Sequence, residues 1–214
     1  MKKYSFFLIF VSLLPALISC SSKRYLRELP YYYPSEGFYK AVVQQKELLD
    51  KQYSLVDDNG EDLSDIELQL KEKYSIILAM NPKDVKNYKL YQYIDDWIGT
   101  PYKDGAFEKQ VGVETSYLIQ ALFSDVYQVT FAKTPDGIFR SKDIQLFTGR
   151  TFLEEGDILF FRYDKFQPIS DVGLYLGNDR ILACTTSGLN IYDFNDSYFQ
   201  LRYVGAGRLK KGKK

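Results

Sequence analysis

The chain has no histidine in its 214 residues and only two cysteines, Cys20 and Cys184. Without histidine it lacks the side chain that most often takes a proton near neutral pH. Two cysteines and no imidazole cannot build a structural zinc site, and no metal or other cofactor is expected. Basic residues are not in excess: 28 Lys and Arg balance 28 Asp and Glu. Lys2 and Lys3 lie at the start, and Arg208, Lys210, Lys211, Lys213 and Lys214 at the end, which leaves 21 basic against 28 acidic residues over 21–207. A mildly acidic body argues against a nucleic-acid partner. There is no internal repeat and no low-complexity run beyond the Lys-rich tail. The apolar run Phe6 to Ile18 is too short to span a bilayer comfortably.

What remains is ordinary in its balance, with 45% hydrophobic and 26% charged residues, and long enough for one main domain with an extension. Aromatics are abundant, with 19 Tyr and 15 Phe. They fit either an aromatic core with strand surfaces or a groove lined with rings. Residues 1–19 read as a targeting leader, charged at Lys2-Lys3 and then apolar. Leu17-Ile18-Ser19-Cys20 resembles a bacterial lipoprotein lipobox, which implies that Cys20 becomes the lipidated first residue of the mature chain. Cys184 would then have no disulfide partner within the chain. The basic tail suits either a solvated end or an anionic contact.

Residues 20–36 read as a tether and 37–86 as a helical extension, with a helix over Phe38–Gln52. Ser64 and Glu67 form a capping box for the next helix, with Ile66, Leu70 and Ile77 on one face. Asn81-Pro82 interrupts it. A third helix is expected from Lys83 to Ile98, with Leu90, Ile94 and Trp97 inward, ended by Gly99. A fourth runs from Val113 to Tyr127 on a stripe of Leu118, Leu122 and Val126. Short β-rich segments follow over Asp157–Tyr163, Asp171–Leu176, Arg180–Thr185, Leu189–Phe194 and Leu201–Arg208. Gly177-Asn178-Asp179 and Ser187-Gly188 mark hairpins between them. Helices first and strands afterwards predict an α+β fold with an antiparallel sheet.

Five segments then carry a family likeness, in order, over 87–209. Trp97-Ile98-Gly99-Thr100-Pro101-Tyr102 resembles the WLGTPY segment of the NlpC family, papain-like cysteine peptidases of the bacterial cell wall. Gly112-Val113-Glu114-Thr115-Ser116 is similar to its Gly-Val-Asp-Cys-Ser. Glu155 to Phe161, Asp171 to Asn178 and Tyr203 to Arg208 resemble three of its strands. The resemblance implies a papain-like NlpC fold, with helices on an antiparallel sheet of about five to six strands, preceded by the helical extension and followed by a basic tail over 210–214.

The family's mechanism uses a Cys thiolate at a helix start, a His that takes its proton and a polar residue that orients the His. The resemblance places Thr115, Asp171 and Ala183 at those three positions. A Thr hydroxyl is far harder to ionise than a thiol of pKa about 8.5. Asp171, with an ordinary carboxyl pKa of about 3.9, is expected to be a poor acceptor. Cys184, next to Ala183, is either a displaced thiol or a buried strand cysteine. Asp104-Gly105-Ala106 replaces a Tyr-Gly-Gly common in the family and alters one groove wall. Tyr102, Glu114 and Ser116 are candidate ligand contacts by resemblance; packing by Tyr102 and helix capping by Glu114 or Ser116 stand beside that role.

The leading expectation is a pseudoenzyme: a lipid-anchored envelope protein that binds peptidoglycan stem peptide or regulates a cell-wall hydrolase. A lipoprotein that binds, inhibits or assembles a protein partner is the second, and an unorthodox peptidoglycan endopeptidase the third. Ser21-Ser22 after Cys20 carries no inner-membrane retention signal and no acidic export run follows. The expected place is therefore the outer membrane, facing the periplasm.

Overall fold

A computed structural model describes residues 65–210. The leader, Cys20, the tether, the helix expected over Phe38–Gln52, the cap at Ser64 and residues 211–214 lie outside the described residues. Two helices come first, α1 (Asp65–Ile77) and α2 (Tyr88–Trp97), with a 3-10 turn over Pro82–Asp84 between them. A small hairpin, β1 (Phe107–Glu108) and β2 (Gly112–Val113), leads into α3 (Thr115–Tyr127) and the short α4 (Pro135–Phe139). The rest is a sheet of β3 (Ile144–Phe147), β4 (Ile158–Phe161), β5 (Asp171–Gly177), β6 (Arg180–Thr185), β7 (Gly188–Asp193) and β8 (Tyr203–Leu209), with α5 (Ser197–Gln200) before the last strand. The six strands run antiparallel in the order β3-β8-β4-β5-β6-β7. The α+β fold read from the sequence is the fold observed.

The helix α3 buries Leu118, Ile119, Leu122 and Phe123 completely against Val172, Leu174 and Leu182 of the sheet. Each such side chain contributes roughly 1.5–3 kcal/mol by leaving water. The opposite face of the sheet is covered too. Leu159, Phe161, Tyr175, Ile181, Ala183 and Tyr192 pack there with Phe194, Tyr198 and Phe199. Apolar residues on both faces explain why β4 reads as an unbroken apolar run rather than an alternation. The α1 helix docks through Tyr74, whose ring lies 4.6 Å from that of Tyr91 on α2. Asn178, in the β5–β6 turn, donates to the carbonyls of Leu78 and Ala79, just past the end of α1, at 3.0 Å each.

Several boundaries differ from expectation, each for a local reason. The third helix begins at Tyr88 rather than Lys83. Pro82–Asp84 forms its own 3-10 turn, and the Asn87 side chain accepts the Leu90 N–H at 3.2 Å and starts the helix there. The fourth begins at Thr115 rather than Val113, because Gly112 and Val113 pair with β1. Ile66 is 70% exposed and does not share the inward face; Leu70, Tyr74 and Ile77 form it. The last strand begins at Tyr203, after α5 and an exposed Leu201. The hairpin β1–β2 and the edge strand β3 are too short, or too mixed in pattern, to stand out in the sequence. The turn residues Asn178 and Asp179 both have positive φ, 46° and 56°, as a two-residue hairpin requires.

Candidate functional site

The segment Gly99 to Ala106 is laced between β7 and β2. Gly99 N–H donates to Leu189 O and Leu189 N–H to Thr100 O, both at 2.8 Å. Val113 N–H donates to Pro101 O at 2.8 Å, and Glu114 N–H to Ala106 O at 2.9 Å. Gly188 has φ 85°, and a Cβ there would lie 2.5 Å from Thr100 O. This close lacing brings Tyr102 and Asp104 beside the start of α3. There, Tyr102, Asp104, Glu114, Thr115, Tyr163, Ser170, Asp171 and Cys184 line a cavity of about 90 Å³.

Thr115 opens α3 and is 2% exposed. Its Oγ1 accepts the Cys184 backbone N–H at 3.1 Å. The Cys184 thiol donates to Val113 O at 3.6 Å. Burial pushes that thiol up to about 12; Asp171 and Glu114 push the same way, against a hydrogen bond with Thr115. Cys184 is therefore a protonated, buried strand cysteine at neutral pH.

Asp171 begins β5. Its Oδ1 accepts the Val172 N–H at 2.8 Å and its Oδ2 the Tyr163 hydroxyl at 3.3 Å. Burial nonetheless raises its carboxyl to about 7, with Glu114 adding to the rise and the two hydrogen bonds opposing it. The expectation of an ordinary, weakly basic carboxylate at this position is thus corrected: desolvation makes Asp171 a group that titrates near neutrality. Burial also holds the Tyr163 hydroxyl far above its ordinary pKa, so it remains a donor. The guanidinium of Arg202 lies 5.6 Å from the centre of that ring.

Glu114 occupies the cap position of α3 without making a side-chain cap bond. Its Oε2 accepts the Gly105 N–H at 2.7 Å, and its Oε1 lies 2.6 Å from the Ser116 hydroxyl. That hydroxyl also reaches Lys133 O at 2.9 Å. Glu114 thus ties the Asp104-Gly105 loop to the helix. Ser116 is 1% exposed and sits behind Glu114, outside the cavity lining. Ala183 is also outside it. Its methyl group packs in the cluster with Phe161 and Tyr175, beside Gly173. Among the six positions singled out in the folded region, Thr115, Asp171, Tyr102 and Glu114 come together and Ser116 and Ala183 do not. Sequence reasoning missed Tyr163 and Ser170. The only available signal was their position, at the two ends of the loop that joins two expected strands.

Comparison with known proteins bears on the family and the fold. The NlpC/P60 family model matches residues 99–208. The murein DD-endopeptidase MepS/murein LD-carboxypeptidase of Escherichia coli K12 is 30% identical over 127 residues, covering 59% of this chain and 64% of that protein. The murein DD-endopeptidase MepH of the same organism is 28% identical over 114 residues, covering 52% of this chain and 42% of that one. The chain thus spans less than two thirds of the length of either relative. A crystal structure of a lipoprotein-like NLP/P60 protein from Staphylococcus aureus shares the fold, with a TM-score of 0.50 and 19% identity, covering 82% of this chain and 49% of that one. The matched stretch runs from the Gly99–Ala106 segment through the cavity to the last strand of the sheet, and the chain belongs to the NlpC/P60 family.

Proposed function

We propose that this chain is a non-catalytic member of its family that holds peptidoglycan stem peptide in the old substrate cleft, from a lipid anchor at Cys20 in the cell envelope. The observation that carries this reading is the state of Thr115. Its hydroxyl is buried and engaged by the Cys184 backbone N–H, in a chain without histidine. An alcohol needs a strong, aligned base to become a nucleophile, and Ala183 supplies nothing to align one. The relatives named as murein endopeptidases support murein as the material held. Sedimentation of the full chain with purified sacculi tests the reading. Co-sedimentation is expected; recovery in the supernatant at every protein concentration rejects it.

A second reading, cleavage by Thr115 with Asp171 as base, draws on the raised pKa of Asp171. A base of pKa about 7 still faces an alcohol many units less acidic than a thiol, which slows proton transfer severely. Loss of muropeptide turnover on Thr115→Ala would support this reading. Regulation of a wall hydrolase is compatible with holding the same peptide, and cross-linking in cells would identify such an enzyme as a stoichiometric neighbour.

A further inference from the structure

We propose that the open edge of the sheet at β3 is a membrane-docking surface, which seats the folded domain on anionic lipid headgroups. This goes beyond the holding role proposed above and does not rest on it. Two kinds of side chain meet at that edge, and the first is basic. The Lys210 N–H donates to Asp143 O at 2.9 Å and its Nζ to Lys142 O at 2.6 Å, so both lysines stand at the start of β3. Neither forms an ion pair among the described residues. Lys211, Lys213 and Lys214 follow in the sequence. Four residues reach about 14 Å at most, so those charges stay close to Lys210. Asp143 lies beside them, whereas Asp136 pairs with Arg140, and Glu154 and Asp157 with Arg208. Residues 21–207 hold 21 basic against 28 acidic residues, so this gathering of lysines runs against the charge of the body.

The second kind is apolar. Phe152 is 69% exposed and Leu146 46%. Phe152 lies with Gln145, Phe147 and Arg208 around a hollow of about 220 Å³. Leu146 alternates with Gln145 and Phe147 along the strand and so stands on the other face of the edge. The Phe152 ring is held outward by its surroundings. It rests on Gly149, where a Cβ would approach it to 2.6 Å, and the Phe147 ring is covered by the Arg208 guanidinium at 5.3 Å. Exposed rings next to unpaired lysines are the composition of a surface that enters the boundary between headgroups and acyl chains.

The backbone of β3 separates a lipid surface from a peptide partner. Asp143 O is turned toward β8, and residues along an antiparallel strand alternate in the side to which their main-chain groups point. The Ile144 carbonyl and both main-chain groups of Leu146 therefore face the open edge, while the Ile144 N–H is taken by Ser141 O. Three groups are few for the addition of a peptide strand, and a hydrated headgroup layer needs none of them. Lysine beside an edge strand also discourages pairing with another sheet. That accounts for Lys142, but not for the lysines from 210 onward or for the exposed Phe152. The cleft is bounded by β5, three strands from β3 in the sheet, which is about 14 Å at about 4.8 Å per strand. Seating the edge leaves the cleft uncovered.

The test reconstitutes the full chain into phosphatidylcholine vesicles, with and without phosphatidylglycerol at about a third of the lipid, and follows amide hydrogen exchange. Exchange over residues 142–152 is expected to slow about tenfold only where phosphatidylglycerol is present, and the effect should weaken at about 1 M NaCl. Phe152→Trp adds a fluorescent probe beside Trp97, the chain's single tryptophan. Brominated acyl chains should quench it in the anionic vesicles and leave the wild-type emission unchanged. Lys210→Gln, Lys211→Gln, Lys213→Gln and Lys214→Gln combined should abolish the slowing, at about fivefold in affinity per lysine, and leave co-sedimentation with sacculi unchanged. Equal slowing in neutral vesicles, or slowing that survives the four replacements, would overturn the inference. Slowing confined to the segments that carry Phe166 and Leu201, or produced by sacculi and not by vesicles, would overturn it as well.

Discussion

At Asp171 the folded chain keeps a proton up to about pH 7, whereas an unfolded carboxyl releases it near pH 4. The folded state therefore binds more protons between those values, and stability falls as pH rises through that window. Asp171→Asn removes the charge, so it is expected to stabilise the protein by on the order of 1–3 kcal/mol at pH 8 and to flatten the pH dependence. Denaturant unfolding at several pH values reads both effects. The same scale governs reactivation. Thr115→Cys alone should leave peptidoglycan uncut, because no imidazole is present to form the thiolate. Adding Asp171→His and Ala183→His supplies the missing groups at the corresponding positions. Ala183 is packed beside Gly173, Phe161 and Tyr175, however, so the larger ring there should cost about 1–3 kcal/mol. Muropeptide release and melting temperature, measured on the single and triple variants, check these two outcomes.

At the scale of elements, the cavity depends on how the Gly99–Ala106 segment is laced to β7 and β2. A Cβ at Gly188 would meet Thr100 O at 2.5 Å, in a backbone conformation that favours glycine. Gly188→Ala should therefore destabilise the fold by about 1–3 kcal/mol and also loosen the wall carrying Tyr102 and Asp104. The denaturant midpoint and sacculus affinity should fall together. On α3, Leu122→Ala should cost about 2–5 kcal/mol with no effect on binding by the protein that remains folded. Much of this framework was legible in the sequence. Tyr88–Trp97 kept the Leu90 and Ile94 stripe, Arg180–Thr185 matched its expected strand, and Asn178-Asp179 made its turn. The parts that were not legible depend on distant partners. The two-residue strands β1 and β2 exist because each pairs with the other, and β3 because β8 offers an edge. The same holds within the site. Thr115 and Asp171 were visible from their motifs, but the pKa of Asp171 follows from the walls around it. Ser170 and Tyr163 become neighbours of Thr115 only when β5 lies beside α3.

Among the described residues, the sheet is buried on both faces and the helices from α1 to α3 cover one of them, so the cleft is built on a packed base. The leader and Cys20 would place that cavity close to a membrane surface, where the wall is within reach. On the function proposed above, this cleft holds peptidoglycan without cutting it. The most direct test incubates the purified full chain with sacculi and measures both the bound protein and the muropeptides released. Saturable binding is expected, with a muropeptide profile identical to that of untreated sacculi. New cleavage products that appear with the wild-type chain and vanish with Thr115→Ala would contradict it.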